Sequence, residues 1–215
     1  MSYGIHTGAS QRSRNPARLD DAHSWWGLLP LGSACSIELT VGDIHPKHVR
    51  AILQLDAHYR HCARHDPQAW LVDAETAGVD FFGPDPEGLL MAPVYAVPRL
   101  LDRNGLTLED FDYYEIHEAF SGQVLCTLAA WEDERFCQRA LGRPKALGSI
   151  DLARLNVNGG SVGLGHPFAA TGARVLGGAA KQLAQHQSQS GRRGRTLVSI
   201  CAAGGLGATA ILESA

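Results

Sequence analysis

Two short apolar runs near the end of the chain, Thr196–Cys201 and Ala208–Leu212, flank a turn that holds Gly204, Gly205 and Gly207. Runs of this length, bounded by turn residues, read as strands. A glycine-bearing turn between them makes a strand pair, and that pair has to sit in a larger sheet. Upstream, strand and helix patterns alternate. Trp70–Thr76 reads as a strand, and Gly83–Gly88 is a loop dense in chain-turning residues. Pro93 to Arg103 reads as a helix closed by Asn104-Gly105, a left-handed cap in the expected place. Asp110 to His117 alternates as a strand does, and Ala119 to about Trp131 continues as a helix. Pro167 to about Gln185 is a further helix, rich in Ala and Gly, and small residues on several of its faces predict that it is buried. This order predicts an α/β fold, a mixed β-sheet with helices on both faces.

The 215 residues, 45% of them hydrophobic, suit one domain with an arm. Residues 1–45 lack a helical or strand period and read as a poorly structured arm, with the domain proper over 46–215. A helix is expected from Pro46 to about Ala63, where Val49, Ile52, Leu53 and Tyr59 recur at helical spacing. On it His58, His61, Cys62 and His65 share a face with spacing that can bind zinc, yet beside Arg60 and Arg64 they read as a solvated face, and no metal is expected. A net charge of −3 gives no general attraction to nucleic acid or anionic membrane. Five cysteines without a CxxC pair argue against a disulfide framework and fit a reducing cytoplasm. No apolar run is long enough for a membrane span, and Trp25–Leu31 ahead of Cys35 is too short and interrupted to serve as a leader.

Three motifs carry the chemistry. They are His117-Glu118-Ala119-Phe120, then Asn158-Gly159-Gly160 running into Gly165-His166-Pro167, then Cys201-Ala202-Ala203-Gly204-Gly205-Leu206-Gly207. Each puts a proton-moving group, or a set of free backbone N–H donors, at a strand end or a helix mouth, where α/β folds place catalysis. In this order and spacing they resemble the C-terminal half of the thiolase family. The likeness is nearest to the HEAF-bearing branch that includes the β subunits of fatty-acid oxidation complexes.

The resemblance implies one βαβαβαββ half of a fold in which two halves pack as five layers, αβαβα. It implies an acyl-CoA C-acyltransferase of fatty-acid metabolism, working by Claisen condensation or by thiolysis of a 3-ketoacyl-CoA. Coenzyme A and acyl-CoA are then substrates, with no permanently bound cofactor. His166 matches the family's histidine that activates the nucleophile, and Cys201 matches its acid/base cysteine. His117 stands where many relatives have Asn to orient a donor toward the thioester oxygen. Phe120 and Met91 are candidate walls for a pantetheine arm. The turn through Ala203 and Gly204 offers successive N–H groups for an anion, although many relatives carry Gly where this chain has Ala203. Gly191–Arg195 reads as a solvated basic turn.

The family's acyl-carrying cysteine belongs to the N-terminal half, which has no counterpart here; neither Cys35 nor Cys62 has the matching surroundings. Such a domain is expected to meet a chain supplying that half, or a copy of itself. The alternatives are a non-catalytic CoA- or acyl-binding remnant, an interaction module, and an inactive fragment of a disrupted thiolase.

Overall fold

The computed structural model describes residues 67–84 and 86–215. The arm over 1–45, the helix expected from Pro46 and the His58, His61, Cys62, His65 group lie outside the described residues. Four strands form one sheet: β1 (Ala69–Gly78), β2 (Tyr113–Ile116), β3 (Arg195–Ala202) and β4 (Leu206–Ser214), in the order β1-β4-β3-β2. β4 runs antiparallel to both β1 and β3, and β2 runs parallel to β3. The helices are α1 (Pro93–Asn104), α2 (Ser121–Glu132), α3 (Glu134–Ala140), the single turn α4 (Ser161–Leu164) and α5 (Thr171–Ser190).

Strand alternation sends neighbouring side chains to opposite faces of the sheet. Leu197 of β3 and Ile211 of β4 point into a core built with Val94, Val97, Leu100 and Leu101 of α1 and with Trp131 of α2. Val198, Ile200, Ala210 and Leu212 point the other way, against Val175, Ala179, Ala180 and Leu183 of α5. Helices thus cover both faces of a mixed sheet.

Local sequence explains most boundaries. α1 starts on Pro93, whose missing N–H costs nothing in a first turn, and ends at Gly105 with φ 64 in the left-handed region. Pro98 inside α1 cannot donate to the carbonyl of Val94, four residues back. The indole N–H of buried Trp131 donates to that carbonyl at 3.4 Å, so the helix defect becomes the joint between α1 and α2. α3 is a separate helix because the Asp133 carboxylate caps it, accepting from the N–H groups of Arg135 and Phe136.

Two expectations are corrected. α5 begins at Thr171 rather than Pro167, since Ala169 adopts φ 66 and turns the chain before the helix can start. It then runs to Ser190, where Gly191 closes it with φ 71. Nor is α5 buried all round: Ala173, Gly177 and Gly178 are exposed, because only one side of the helix meets the sheet.

β2 lies at the sheet edge. Its outer side is met by Asn156, held at φ 45, whose carboxamide accepts from the N–H of Ile116 at 2.9 Å and donates to the carbonyl of Ile116 at 2.8 Å. The Asn156 N–H also donates to the carbonyl of Tyr114 at 2.9 Å.

Candidate active site

The carboxyl end of β2 positions the first group. His117 lies just past the strand, yet its N–H still donates to the Ser199 carbonyl of β3 at 2.8 Å, so the sheet fixes its backbone. Glu118 then ties this corner to the Asn-Gly-Gly segment. Its carboxylate accepts from Asn156 Nδ2 at 2.7 Å and from the N–H of Val162, in the first turn of α4, at 3.0 Å. Gly160 lets this carboxylate come close: a Cβ there would stand 2.1 Å from Glu118 Oε2 and displace it.

α4 ends at Gly165, with φ 94, and releases His166 toward His117. The two imidazole rings lie 4.3 Å apart, centroid to centroid, inclined at 50°. His166 Nδ1 is 2.7 Å from Thr171 Oγ1, and that hydroxyl donates to the Pro167 carbonyl at 3.1 Å. Phe168, 82% exposed, flanks the outer side of the His166 ring at 4.8 Å. His117 Nδ1 is 2.9 Å from Ser161 Oγ, and the same oxygen accepts from Arg174 Nη2 at 2.7 Å.

Burial sets the electrostatics. It is the largest influence holding His117 down at about 4, and the neighbouring His166 and Arg174 add to it while Glu118 opposes. Burial likewise lifts Glu115, on β2, to about 7, with Arg174 opposing and Glu118 reinforcing. Cys201, at the end of β3, is buried, and this pushes its thiol up to about 11 despite the backbone N–H groups of Cys201 and Ala119 beside the sulfur. At neutral pH this corner therefore holds a neutral imidazole and a neutral thiol. Such groups can exchange protons with a substrate, whereas a ready-made thiolate nucleophile would need the opposite shift.

His117 and His166 are in contact, and Cys201 lies against the backbone of Ala119 in the same motif as His117. Phe120, 69% exposed, stands at the rim. Met91, partly buried, packs against the core beside α1. Ala203 and Gly204 are exposed in the turn between β3 and β4, where Gly204 has φ 94. Gly205 next to them, at φ 74, has no room for a Cβ, which would meet the Val79 carbonyl oxygen at 2.4 Å. Around the corner, Val157, Val162, Leu164 and Leu125 are exposed apolar side chains. Ser161, Thr171, Arg174 and Glu115 carry no role in the sequence reading, although Ser161 falls inside the Asn158–Pro167 motif and Thr171 and Arg174 follow it within seven residues. Among the described residues no group of three or more His, Cys, Asp or Glu could hold a metal ion.

His117 and His166 thus meet beyond the carboxyl end of β2, and Cys201 stands near the end of β3, in a domain of the α/β class built on a mixed sheet. Residues 67–214 match the family described as thiolase, C-terminal domain. A 3-ketoacyl-CoA thiolase of Erwinia tasmaniensis is 48% identical over 127 residues, covering 59% of this chain and 28% of that protein. The mitochondrial trifunctional enzyme subunit beta of Mus musculus is 42% identical over 149 residues, covering 69% of this chain and 29% of that protein. Among solved structures, a thiolase from Ascaris suum in complex with coenzyme A aligns with a TM-score of 0.52 and 27% identity, covering 74% of this chain and 34% of that one. The peroxisomal 3-ketoacyl-CoA thiolase of Saccharomyces cerevisiae, a five-layered structure built from two core domains of identical topology, aligns at 0.51 and 30%, covering 73% and 37%. The chain belongs to the thiolase family, and its fold is the C-terminal half of the thiolase fold. It spans about three tenths of the length of the curated relatives it matches.

Proposed function

We propose that this domain is the C-terminal half of a thiolase-type acyl-CoA C-acyltransferase, acting in Claisen condensation or thiolysis of 3-ketoacyl-CoA. The observation that carries the reading is the contact between the His117 and His166 rings beside a buried Cys201. In this reading the Thr171 hydroxyl, its own proton committed to the Pro167 carbonyl, takes the Nδ1–H of His166 and leaves Nε2 free to accept a proton from an incoming thiol. Cys201, kept as a thiol, exchanges its proton with the substrate α-carbon or the departing thiolate. His117 donates to the oxygen on which negative charge develops. Phe120 at the rim suits one wall of a pantetheine channel, and the N–H groups of Ala203 and Gly204 suit an anionic group of the substrate. The acyl-carrying cysteine comes from a further polypeptide segment, joined to this one or separate, and the domain boundary falls near residue 46. The exposed Phe168, Leu164, Val162 and Leu125 and the glycine side of α5 suit the surface that meets it. Coenzyme A thioesters are the small-molecule partners, in a reducing compartment such as the cytoplasm.

Thiolysis of acetoacetyl-CoA tests this. The 215-residue chain alone is expected to show no turnover, and mixing or joining it with the N-terminal half of a related thiolase is expected to produce it. His166→Ala and Cys201→Ala should each then reduce turnover by roughly 10²–10⁴-fold. Coenzyme A binding with no turnover in any combination would instead establish the non-catalytic binding domain.

A further inference from the structure

We propose that Arg174 and Ser161 are a positioning pair that fixes His117 as the neutral tautomer carrying its proton on Nε2, so that the ring serves only as a donor toward substrate oxygen. The role given to that donor rests on the acyl-transfer reading; the tautomer itself does not.

The direction of the hydrogen bonds follows from what each group can do. Arginine donates and never accepts, so the 2.7 Å bond from Arg174 Nη2 occupies a lone pair of Ser161 Oγ. The hydroxyl keeps one proton to give, and its other side-chain contact among the described residues is His117 Nδ1 at 2.9 Å. A buried hydroxyl gives its proton to the available acceptor, so Nδ1 is that acceptor and the ring proton lies on Nε2. The chain of bonds crosses three elements, from α5 through the first residue of α4 to the end of β2. Gly160, close against the Glu118 carboxylate, precedes α4, and Ser161 opens that helix.

A separate observation says what the proton is for. His117 is 2% exposed, and its Nε2 is buried with no hydrogen-bond partner among the described residues. Native structures rarely bury a donor unpaired unless something else completes the bond, and here the missing acceptor matches the oxygen of a bound carbonyl compound. The charged and titratable groups acting on the ring are Arg174 from α5, His166 from the segment before it, and Glu118 from its own corner. With Arg174 on one side and His166 on the other, a second proton on the ring is disfavoured.

Histidine-selective ¹⁵N labelling of the full chain, with two-bond proton–nitrogen correlation at pH 7 and His117→Gln to assign the signal, reads the tautomer directly. The expected result is a proton-free shift on Nδ1 and a proton-bearing shift on Nε2 of His117. Ser161→Ala should spread the proton over both nitrogens, and Ser161→Thr, which keeps the hydroxyl, should restore the single tautomer. Arg174→Gln keeps an N–H donor but removes the charge, and should raise the ring's titration midpoint by about one unit. A proton on Nδ1, a charged ring at pH 7, or an unchanged midpoint in Arg174→Gln would overturn the proposal. If Ser161→Ala does not fold, the wild-type spectrum and the Arg174→Gln titration still decide it. Turnover in the reconstituted enzyme with the Nδ1–H tautomer would defeat this inference alone, while the Nε2–H tautomer without turnover would defeat only the acyl-transfer reading.

Discussion

The two faces of the sheet are finished to different degrees. On the α1 side, Trp131, Tyr114, Phe111 and six leucines or valines are 2% exposed or less, and a proline defect is sealed by an indole N–H. On the α5 side the contact is made by Val175, Ala179, Ala180 and Leu183, while on the far side of the same helix nothing beyond the helix itself, among the described residues, comes within 4 Å of where a Cβ on Gly177 or Gly178 would stand. The site lies where the thinner layer ends. Large side chains stabilise a surface that is already closed; small ones keep a helix available for close approach by another backbone. The difference teaches that the larger side chains are concentrated on one face of the sheet, while the candidate site borders the other.

That contrast can be broken by substitution. Trp131→Ala should cost about 3–5 kcal/mol in urea unfolding, from lost burial and from the Val94 carbonyl left bare. A loss under about 1 kcal/mol would mean that the α1 face is not the stabilising one.

A second test concerns the α5 face and its price in pH. Glu115 has a folded value of about 7 against an ordinary 4.5, so between these the folded chain holds a proton that the unfolded chain has released. Stability from this group is complete below about 4.5 and falls as pH rises toward 7. Glu115→Gln should therefore stabilise the domain at pH 8 by up to about 3 kcal/mol and by little at pH 4. His117 runs the other way: its folded value of about 4, against 6.5, removes stability as pH falls through that interval. The two slopes oppose between about 4.5 and 6.5, so unfolding free energy should be flattest there. Equal effects of Glu115→Gln at pH 4 and pH 8 would sink the assignment.

The smallest effect sharpens the picture of the uncovered helix. Gly178→Ala should raise stability by about 0.5–1 kcal/mol in this chain, since it gains helix propensity and meets no neighbour. A lower melting temperature would show that the outward side of α5 is already occupied.

Much of the fold was legible because its signals are local. Pro93 and Asn104-Gly105 bracket α1 within one residue, and the apolar runs on either side of Gly204-Gly205 are β3 and β4. The start of α5 was not, because Pro167 is as acceptable in a turn as in a first helical turn, and the positive φ of Ala169 has no sequence signature. α3 was missed although Asp133-Glu134 is a readable cap. At the site, His117, His166 and Cys201 stand out by motif. Ser161 meets His117 across 44 positions and Arg174 across a further 13, and no local pattern announces such a bond. Met91 packs, partly buried, against the core beside α1, a placement decided by how that helix docks rather than by any local pattern.

The carboxamide of Asn156 carries one more consequence. An edge strand with bare N–H and C=O groups is a template on which another chain can add, and a half-length domain with exposed apolar side chains is vulnerable to such additions. Asn156 fills both groups of Ile116 with a side chain that cannot extend into a ladder. Among the described residues the sheet therefore ends beside the candidate site by occupation, and strand addition is disfavoured at the residue immediately before His117.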